Sequence, residues 1–105
     1  MVDGLGMWVG QSLDYYQAHW YDYMSKGDYC ARCTDNATVK SRYALDRPLV
    51  IGEIYVGPDT DALQRYKDFY DKGYAGVWGW SLLPRHTSDQ MSIDLAATAA
   101  FAAMH

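Results

Sequence analysis

Residues 48–53 form an apolar run, Pro-Leu-Val-Ile-Gly-Glu, that ends in the carboxylate of Glu53. A carboxylate at the end of a buried strand is costly unless another group uses or neutralises its charge. Two more segments resemble strands: residues 15–21 end in polar aromatic side chains, and residues 73–81 end in tryptophan and serine. Helix-length stretches separate the three segments, which favours parallel strands joined by crossovers. The pattern therefore predicts part of a (β/α) barrel whose active face lies at the carboxyl ends of the strands.

The length of the chain limits how much of a barrel it can form. The chain has 105 residues, which is enough for one domain. A complete eightfold barrel needs ~250 residues, so this chain supplies only about three of the eight units. We predict a single α/β domain over residues 1–105, a partial (β/α) barrel with parallel strands. Residues 1–12 form an irregular lead-in, and residues 13–105 form the three βα units.

An incomplete barrel leaves parts of its sheet without a partner. Three parallel strands have two free edges, and free edges recruit other chains. The alternation of side chains along a strand places Leu49, Ile51 and Glu53 on one face, so an inner apolar face needs covering. The sequence therefore predicts that a homo-oligomer, a dimer or a larger assembly, completes the barrel.

Turn and capping residues indicate where the helices lie. A short helix over 37–45 precedes the middle strand, a second helix ends before Gly73, and an alanine-rich helix covers about 93–104. Side chains that can accept a hydrogen bond from the first turn are expected at the three helix starts: Asn36, Asp59 or Thr60, and Ser92.

Composition argues against several classes of partner. The net charge is −4 and no block of basic residues occurs, so neither a nucleic-acid stripe nor a polybasic membrane patch is expected. No apolar run approaches the ~20 residues of a membrane span, and no signal peptide is visible. The ten tyrosines and four tryptophans have rings with polar edges, which suit a wet binding cleft or an interface.

The two cysteines, Cys30 and Cys33, lie in a segment with the composition of a loop. They could form half of a zinc site, a redox pair or a short disulfide, or remain free thiols. A structural zinc site needs four ligands, and no second cysteine pair is present. The sequence contains no nucleotide-binding fingerprint, so we predict no metal site and no cofactor.

Three segments carry a family resemblance. Residues 13–22, 46–53 and 73–81 resemble the sixth, seventh and eighth strands of clan A glycoside hydrolases, family 5 above all. The matches follow the family's order and cover residues 13–105. The resemblance implies a retaining β-glycosidase that acts on β-glucans, β-mannans and related glycans. It also favours a secreted protein.

The resemblance implies a role for each site residue. Glu53 corresponds to the catalytic nucleophile, and His19 and Tyr21 would flank it and form hydrogen bonds with it. Trp80 would form the floor of the subsite that holds the reacting sugar. Two further aromatic residues are candidate substrate contacts: Trp20 and Tyr55.

Each of these roles has a structural alternative. Glu53 could form an ion pair with an arginine at the end of the sheet, and His19 could be a core histidine bonded to the backbone. Tyr21 and Trp20 could serve packing alone. Trp80 could be buried at an oligomer interface.

The chain departs from the family in one respect that matters for chemistry. The family's acid/base glutamate lies on the fourth strand after an asparagine, and no Asn-Glu pair occurs here. Retaining hydrolysis uses two carboxyl groups ~5–5.5 Å apart, and Asp22 is the nearest substitute by position. Three functions remain open: a weak hydrolase within an oligomer, a non-catalytic carbohydrate binder, and a purely structural, self-associating barrel fragment.

Overall fold

The computed structural model describes residues 4–24, 34–82 and 93–105. A parallel three-stranded sheet in the order β1-β2-β3 forms its centre. The strands are β1 (Tyr16–His19), β2 (Leu49–Tyr55) and β3 (Val77–Trp80), and the helices are α1 (Asn36–Tyr43), α2 (Ala62–Asp71) and α3 (Leu95–Ala102). Short 3-10 turns cover Leu5–Trp8 and Asp22–Met24. The prediction of an α/β chain with parallel strands and alternating helices is confirmed. None of the described helices is long and apolar enough to cross a membrane.

One face of the sheet is buried in a single apolar core. Tyr16, Ala18 and Trp20 contribute to it from the first strand and the residue after it, and all three are buried. The ring of Trp20 meets the ring of Phe69 on α2 edge to face, with centroids 5.7 Å apart. The remaining members come from β2, from the helices and from the segments beside them: Leu5, Val39, Leu45, Leu49, Ile51, Ile54, Val56, Ala62, Tyr66 and Tyr74. This core fixes the carboxyl ends of β1 and β2 against α2.

A bulge in β2 changes which residues share a face. Ala18 pairs with Ile51, but the next residue of β1, His19, pairs with Glu53, so the register shifts by one residue. A bulge of this kind interrupts the alternation of side chains. A Cβ added at Gly52 would collide with the side chain of Gln17, so glycine leaves room for that side chain where the bulge begins. The prediction that Glu53 shares a face with Leu49 and Ile51 is therefore wrong.

The uncovered face of the sheet also differs from the prediction. Leu49 and Ile51 were expected on an inner apolar face, but both are fully buried in the core. Among the described residues, the opposite face, which we call the open face, is mainly aromatic and polar. It consists of Tyr15, Gln17, His19, Glu53, Tyr55, Trp78 and Trp80, with the buried Val50 among them. Its largest rings remain exposed, and Tyr15 packs edge to face on Trp78 with centroids 6.0 Å apart.

An aspartate is the N-cap residue of each of the three described helices. Asp35 accepts a hydrogen bond from the backbone N–H of Thr38, which holds the pKa of Asp35 below its usual value. Asp61 and Asp94 cap α2 and α3 in the same way. The expected caps at Asn36 and at Asp59 or Thr60 are therefore wrong by one or two positions, and Ser92 lies outside the described residues.

Removing the α3 cap should destabilise the chain by a measurable amount. In Asp94→Ala the backbone N–H of Ala97 loses its acceptor, which lies at 3.0 Å. We expect the free energy of unfolding in urea to fall by ~1 kcal/mol. The control is Asp71→Ala, because Asp71 is exposed at the last residue of α2, where a negative charge opposes the helix dipole. Equal losses in the two variants would contradict the capping role.

The raised pKa values of two tyrosines predict a loss of stability at alkaline pH. Burial raises the pKa of Tyr74 to about 12 from an ordinary value of 10.0, and a 2.6 Å hydrogen bond to Asp46 raises the pKa of Tyr16 to about 12. Because folding favours the neutral phenols, their contribution is present below pH 10.0 and is lost as the pH rises towards about 12. We expect the free energy of unfolding to fall across that interval, and Tyr74→Phe to reduce the fall. If the free energy of unfolding falls with pH as steeply in Tyr74→Phe as in the wild type, the result would contradict the burial of the Tyr74 hydroxyl.

Candidate functional site

Three of the predicted site residues meet at the carboxyl ends of β1 and β2. The phenol of Tyr21 donates a hydrogen bond to Oε1 of Glu53, and Nδ1 of His19 lies 3.2 Å from Oε2. The backbone N–H of Trp20 donates to the carbonyl of Glu53 over 2.9 Å, which fixes the two strand ends side by side. The side chain of Glu53 remains 20% exposed. Each carboxylate oxygen thus has a defined partner while the group remains accessible from solvent.

A fourth residue, Gln17, extends this arrangement and was not singled out from the sequence. Its side-chain nitrogen Nε2 lies 3.0 Å from Nε2 of His19. When the Gln17 amide donates to that ring nitrogen, the proton of neutral His19 lies on Nδ1, which faces Glu53. This arrangement of Gln17 is compatible with the tautomer of His19 that donates to Glu53. Period-two alternation already places Gln17 and His19 on one face, and this is the signal that could have identified Gln17.

The segment after β1 sets the direction of Tyr21. Tyr21 lies between Trp20, whose ring is buried, and the 3-10 turn that begins at Asp22. Its ring stacks on Tyr23 with centroids 5.9 Å apart and ring planes within 5° of parallel. The buried tryptophan and the tight turn together bring the phenol of Tyr21 towards β2.

Among the aromatic candidates, the structure separates Trp80 from Trp20. Trp80 is 48% exposed at the end of β3, in register with Tyr55 on the neighbouring strand. Trp20 has no exposed surface and packs on Phe69, so its assignment as a substrate contact is corrected to a core residue. Its large apolar ring faces the helices because it alternates with His19 along the chain.

Tyr55 is half-buried, and its phenol donates to the carboxylate of Asp59 in the following turn. This hydrogen bond raises the pKa of Tyr55, because the neighbouring negative charge favours the neutral phenol. The phenol is thereby held towards the loop that follows β2. Tyr55 remains a candidate sugar contact, at the rim formed by the ends of β2 and β3.

The second carboxyl group required for retaining hydrolysis is not found beside Glu53 in the described part of the chain. Glu53 is the single glutamate of the sequence. Asp22, the predicted substitute, forms a 2.8 Å salt bridge with Arg65 on α2. Asp59 is bonded to Tyr55. The arrangement therefore provides one oriented carboxylate, suited to attack on an electrophilic carbon or to accepting hydrogen bonds from sugar hydroxyls.

The two cysteines and the possibility of a metal site are considered apart from the residues around Glu53. Cys30 and Cys33 lie outside the described residues. Within the described ranges, no group of three or more histidine, cysteine, aspartate or glutamate side chains could hold a metal ion.

Comparisons with models of known protein families, with curated proteins and with solved structures found no match to this chain.

Proposed function

We propose that the chain carries the nucleophile half of a retaining glycoside hydrolase site for β-linked glycans such as β-glucans or β-mannans. Glu53 is the nucleophile, His19 and Tyr21 orient it, and Trp80 forms the floor beneath the reacting sugar. The observation that carries the proposal is the pair of side-chain bonds to Glu53, one to each carboxylate oxygen. Hydrogen bonds of this kind fix the direction of a carboxylate, and correct orientation contributes strongly to attack on a bound sugar.

The reaction has two steps. An oxygen of Glu53 attacks the anomeric carbon of the glycoside, and the bond from that carbon to the leaving oxygen breaks with its electron pair. Water then attacks the same carbon of the glycosyl ester, which releases the sugar, frees the carboxylate of Glu53 and passes a proton to solvent. Without a general acid the leaving oxygen must depart as an anion, which costs ~10²–10⁴-fold in rate for poor leaving groups.

Self-association is the proposed source of the missing parts. Within the described residues, β1 and β3 are the edges of the sheet, and Trp78 and Trp80 are about half exposed on the open face. Edges and exposed aromatic patches of this kind favour association with another chain. A homo-oligomer, a dimer or a larger assembly, would complete the barrel.

The leaving-group dependence of the rate tests this proposal. We expect turnover of dinitrophenyl and 4-nitrophenyl β-glycosides and no measurable turnover of phenyl β-glycosides, because only good leaving groups depart without protonation. Light scattering on the same samples records the size of the assembly. Equal rates for good and poor leaving groups would show that an acid is present. The absence of turnover with every substrate, in an assembled sample, would refute the hydrolase proposal.

A second candidate function, non-catalytic carbohydrate binding, is favoured by the exposed rings of the open face. Tyr15, Trp78 and Trp80 are each between 43% and 49% exposed. Aromatic faces with polar edges are suited to stacking on sugars. In this case sugar binding survives Glu53→Gln and is lost in Trp80→Ala. A purely structural, self-associating fragment would show neither binding nor turnover.

A further inference from the structure

Arg65 on α2 contacts both strand ends that meet at the Glu53 site. Its Nη2 donates to Oδ2 of Asp22 over 2.8 Å, and its Nη1 donates to the backbone carbonyl of Tyr55 over 3.0 Å. The guanidinium carbon lies 5.7 Å from the centroid of the Trp20 ring. The side chain of Arg65 is only 12% exposed although it carries a charge. Charged side chains are seldom this buried unless they are paired, and both terminal nitrogens of the guanidinium have partners.

The residues that Arg65 contacts are close neighbours, along the chain, of Tyr21 and Glu53, which are joined by a hydrogen bond. Asp22 directly follows Tyr21, and Tyr55 lies two residues after Glu53. Arg65 therefore joins the chain on the Tyr21 side to the chain on the Glu53 side through a single planar group. The ring of Trp20, directly before Tyr21, lies close to the same guanidinium. A shift of the backbone at Tyr21 away from β2 would disturb at least one of these contacts.

We propose that Arg65 is a positioning residue that holds the phenol of Tyr21 against Glu53. The importance of this for catalysis rests on the proposed role of Glu53 as a nucleophile, but the positioning itself does not. A guanidinium presents two parallel donors in a fixed geometry, whereas the ammonium of lysine is a single point donor on a flexible stem. Lysine at position 65 can therefore keep one of the two contacts but not both in the same geometry.

The test uses the fact that Glu53 is the only glutamate in the chain. Protein labelled with carboxyl-¹³C glutamate gives one side-chain carboxyl resonance, which reports on Glu53 alone and needs no substrate. Tyr21→Phe removes the hydrogen bond directly and sets the reference shift at neutral pH. We expect Arg65→Lys and Asp22→Ala to move the resonance in the same direction as Tyr21→Phe.

Two controls separate positioning from general loosening of the fold. Arg47→Lys makes the same exchange at the opposite end of β2, on an exposed side chain, and should leave the resonance unchanged. Val39→Ala removes core volume on α1, lowers the melting temperature and should also leave the resonance unchanged. If Arg65→Lys does not fold, Asp22→Ala decides the question, because the side chain of Asp22 is 62% exposed and Arg65 keeps its second contact, the carbonyl of Tyr55.

The proposal is overturned if Tyr21→Phe shifts the resonance and neither Arg65→Lys nor Asp22→Ala does. It is also overturned if Tyr21→Phe has no effect, or if the two control variants shift the resonance as much as Arg65→Lys. Each of these outcomes is independent of turnover. Failure of the hydrolase proposal is detected separately, by the absence of phenolate release from aryl glycosides.

Discussion

Glu53→Gln is expected to remove all phenolate release from activated aryl β-glycosides, so that the rate falls to that of buffer. The reason is that an amide oxygen is too weak a nucleophile to attack the anomeric carbon, and no other described carboxylate lies at the site. Removing a nucleophile generally costs orders of magnitude in kcat, as much as ~10⁶-fold in a well-studied hydrolase. The measurement is the initial rate of absorbance increase from 4-nitrophenyl β-glucoside and β-mannoside.

The matched control for this prediction is Asp71→Asn, which also converts a carboxylate to an amide. Asp71 is exposed at the end of α2, far from the open face in the chain's topology. We expect this variant to retain the wild-type rate. Because glutamine has the shape of glutamate, Glu53→Gln should also keep the wild-type melting temperature to within a few degrees. Residual turnover in Glu53→Gln above the buffer rate would show that another group carries the reaction.

Trp20→Ala is expected to lower the free energy of unfolding by ~3–5 kcal/mol, the usual cost of removing a large buried ring. Trp20 has no exposed surface and packs against Phe69 and beneath Arg65. Native domains have only ~5–15 kcal/mol of stability in total, so this loss is a large fraction of it. Urea denaturation followed by tyrosine and tryptophan fluorescence gives the value.

Trp80→Ala makes the same exchange on the open face. We expect it to have little effect on stability and a large effect on sugar binding. Trp80 is 48% exposed, so its removal should change the free energy of unfolding by ~1 kcal/mol or less. Sugar binding, measured by titration with β-glucan and β-mannan oligosaccharides, should be lost in this variant. Equal destabilisation by the two substitutions would contradict the assignment of Trp20 to the core and Trp80 to the open face.

The architecture could be predicted from the sequence because its signals are local. The strands carry their own apolar or aromatic patterns, and parallel pairing follows from the helix-length connections between them. That His19 and Tyr21 flank Glu53 was implied by the family resemblance, and it agrees with the general rule that the carboxyl ends of parallel strands lie at one edge of a sheet. The structure brings these three side chains together.

The faces of β2 could not be predicted, because a bulge depends on what lies on the neighbouring strand. Strict alternation placed Glu53 with Ile51, yet the side chain of Gln17 occupies the space above Gly52 and the register shifts there. This shift moves Glu53 out of the core and onto the open face. The expectation of an exposed apolar face with Leu49 was wrong for a different reason: side chains of the helices pack on that face and bury it, and the uncovered surface is aromatic and polar instead.

The salt bridge between Asp22 and Arg65 could not be predicted from the sequence either. Arg65 lies 43 residues away and meets Asp22 only because α2 packs behind the carboxyl ends of β1 and β2. The sequence suggested Asp22 as a substitute acid from its position alone. Its salt bridge instead makes it part of the structure that surrounds Tyr21.

The most direct test of the account is covalent trapping of Glu53. The chain is incubated with an aryl 2-fluoro-β-glycoside that carries a dinitrophenolate leaving group, and its intact mass is measured. The good leaving group allows the first step, whereas fluorine slows hydrolysis of the glycosyl ester because it destabilises the oxocarbenium-like transition state. If Glu53 is the nucleophile, we expect a mass increase of one fluoroglycosyl group, located on Glu53 by peptide mapping and absent in Glu53→Gln. An unchanged mass in a sample that releases no phenolate, or a label on any other residue, would contradict it.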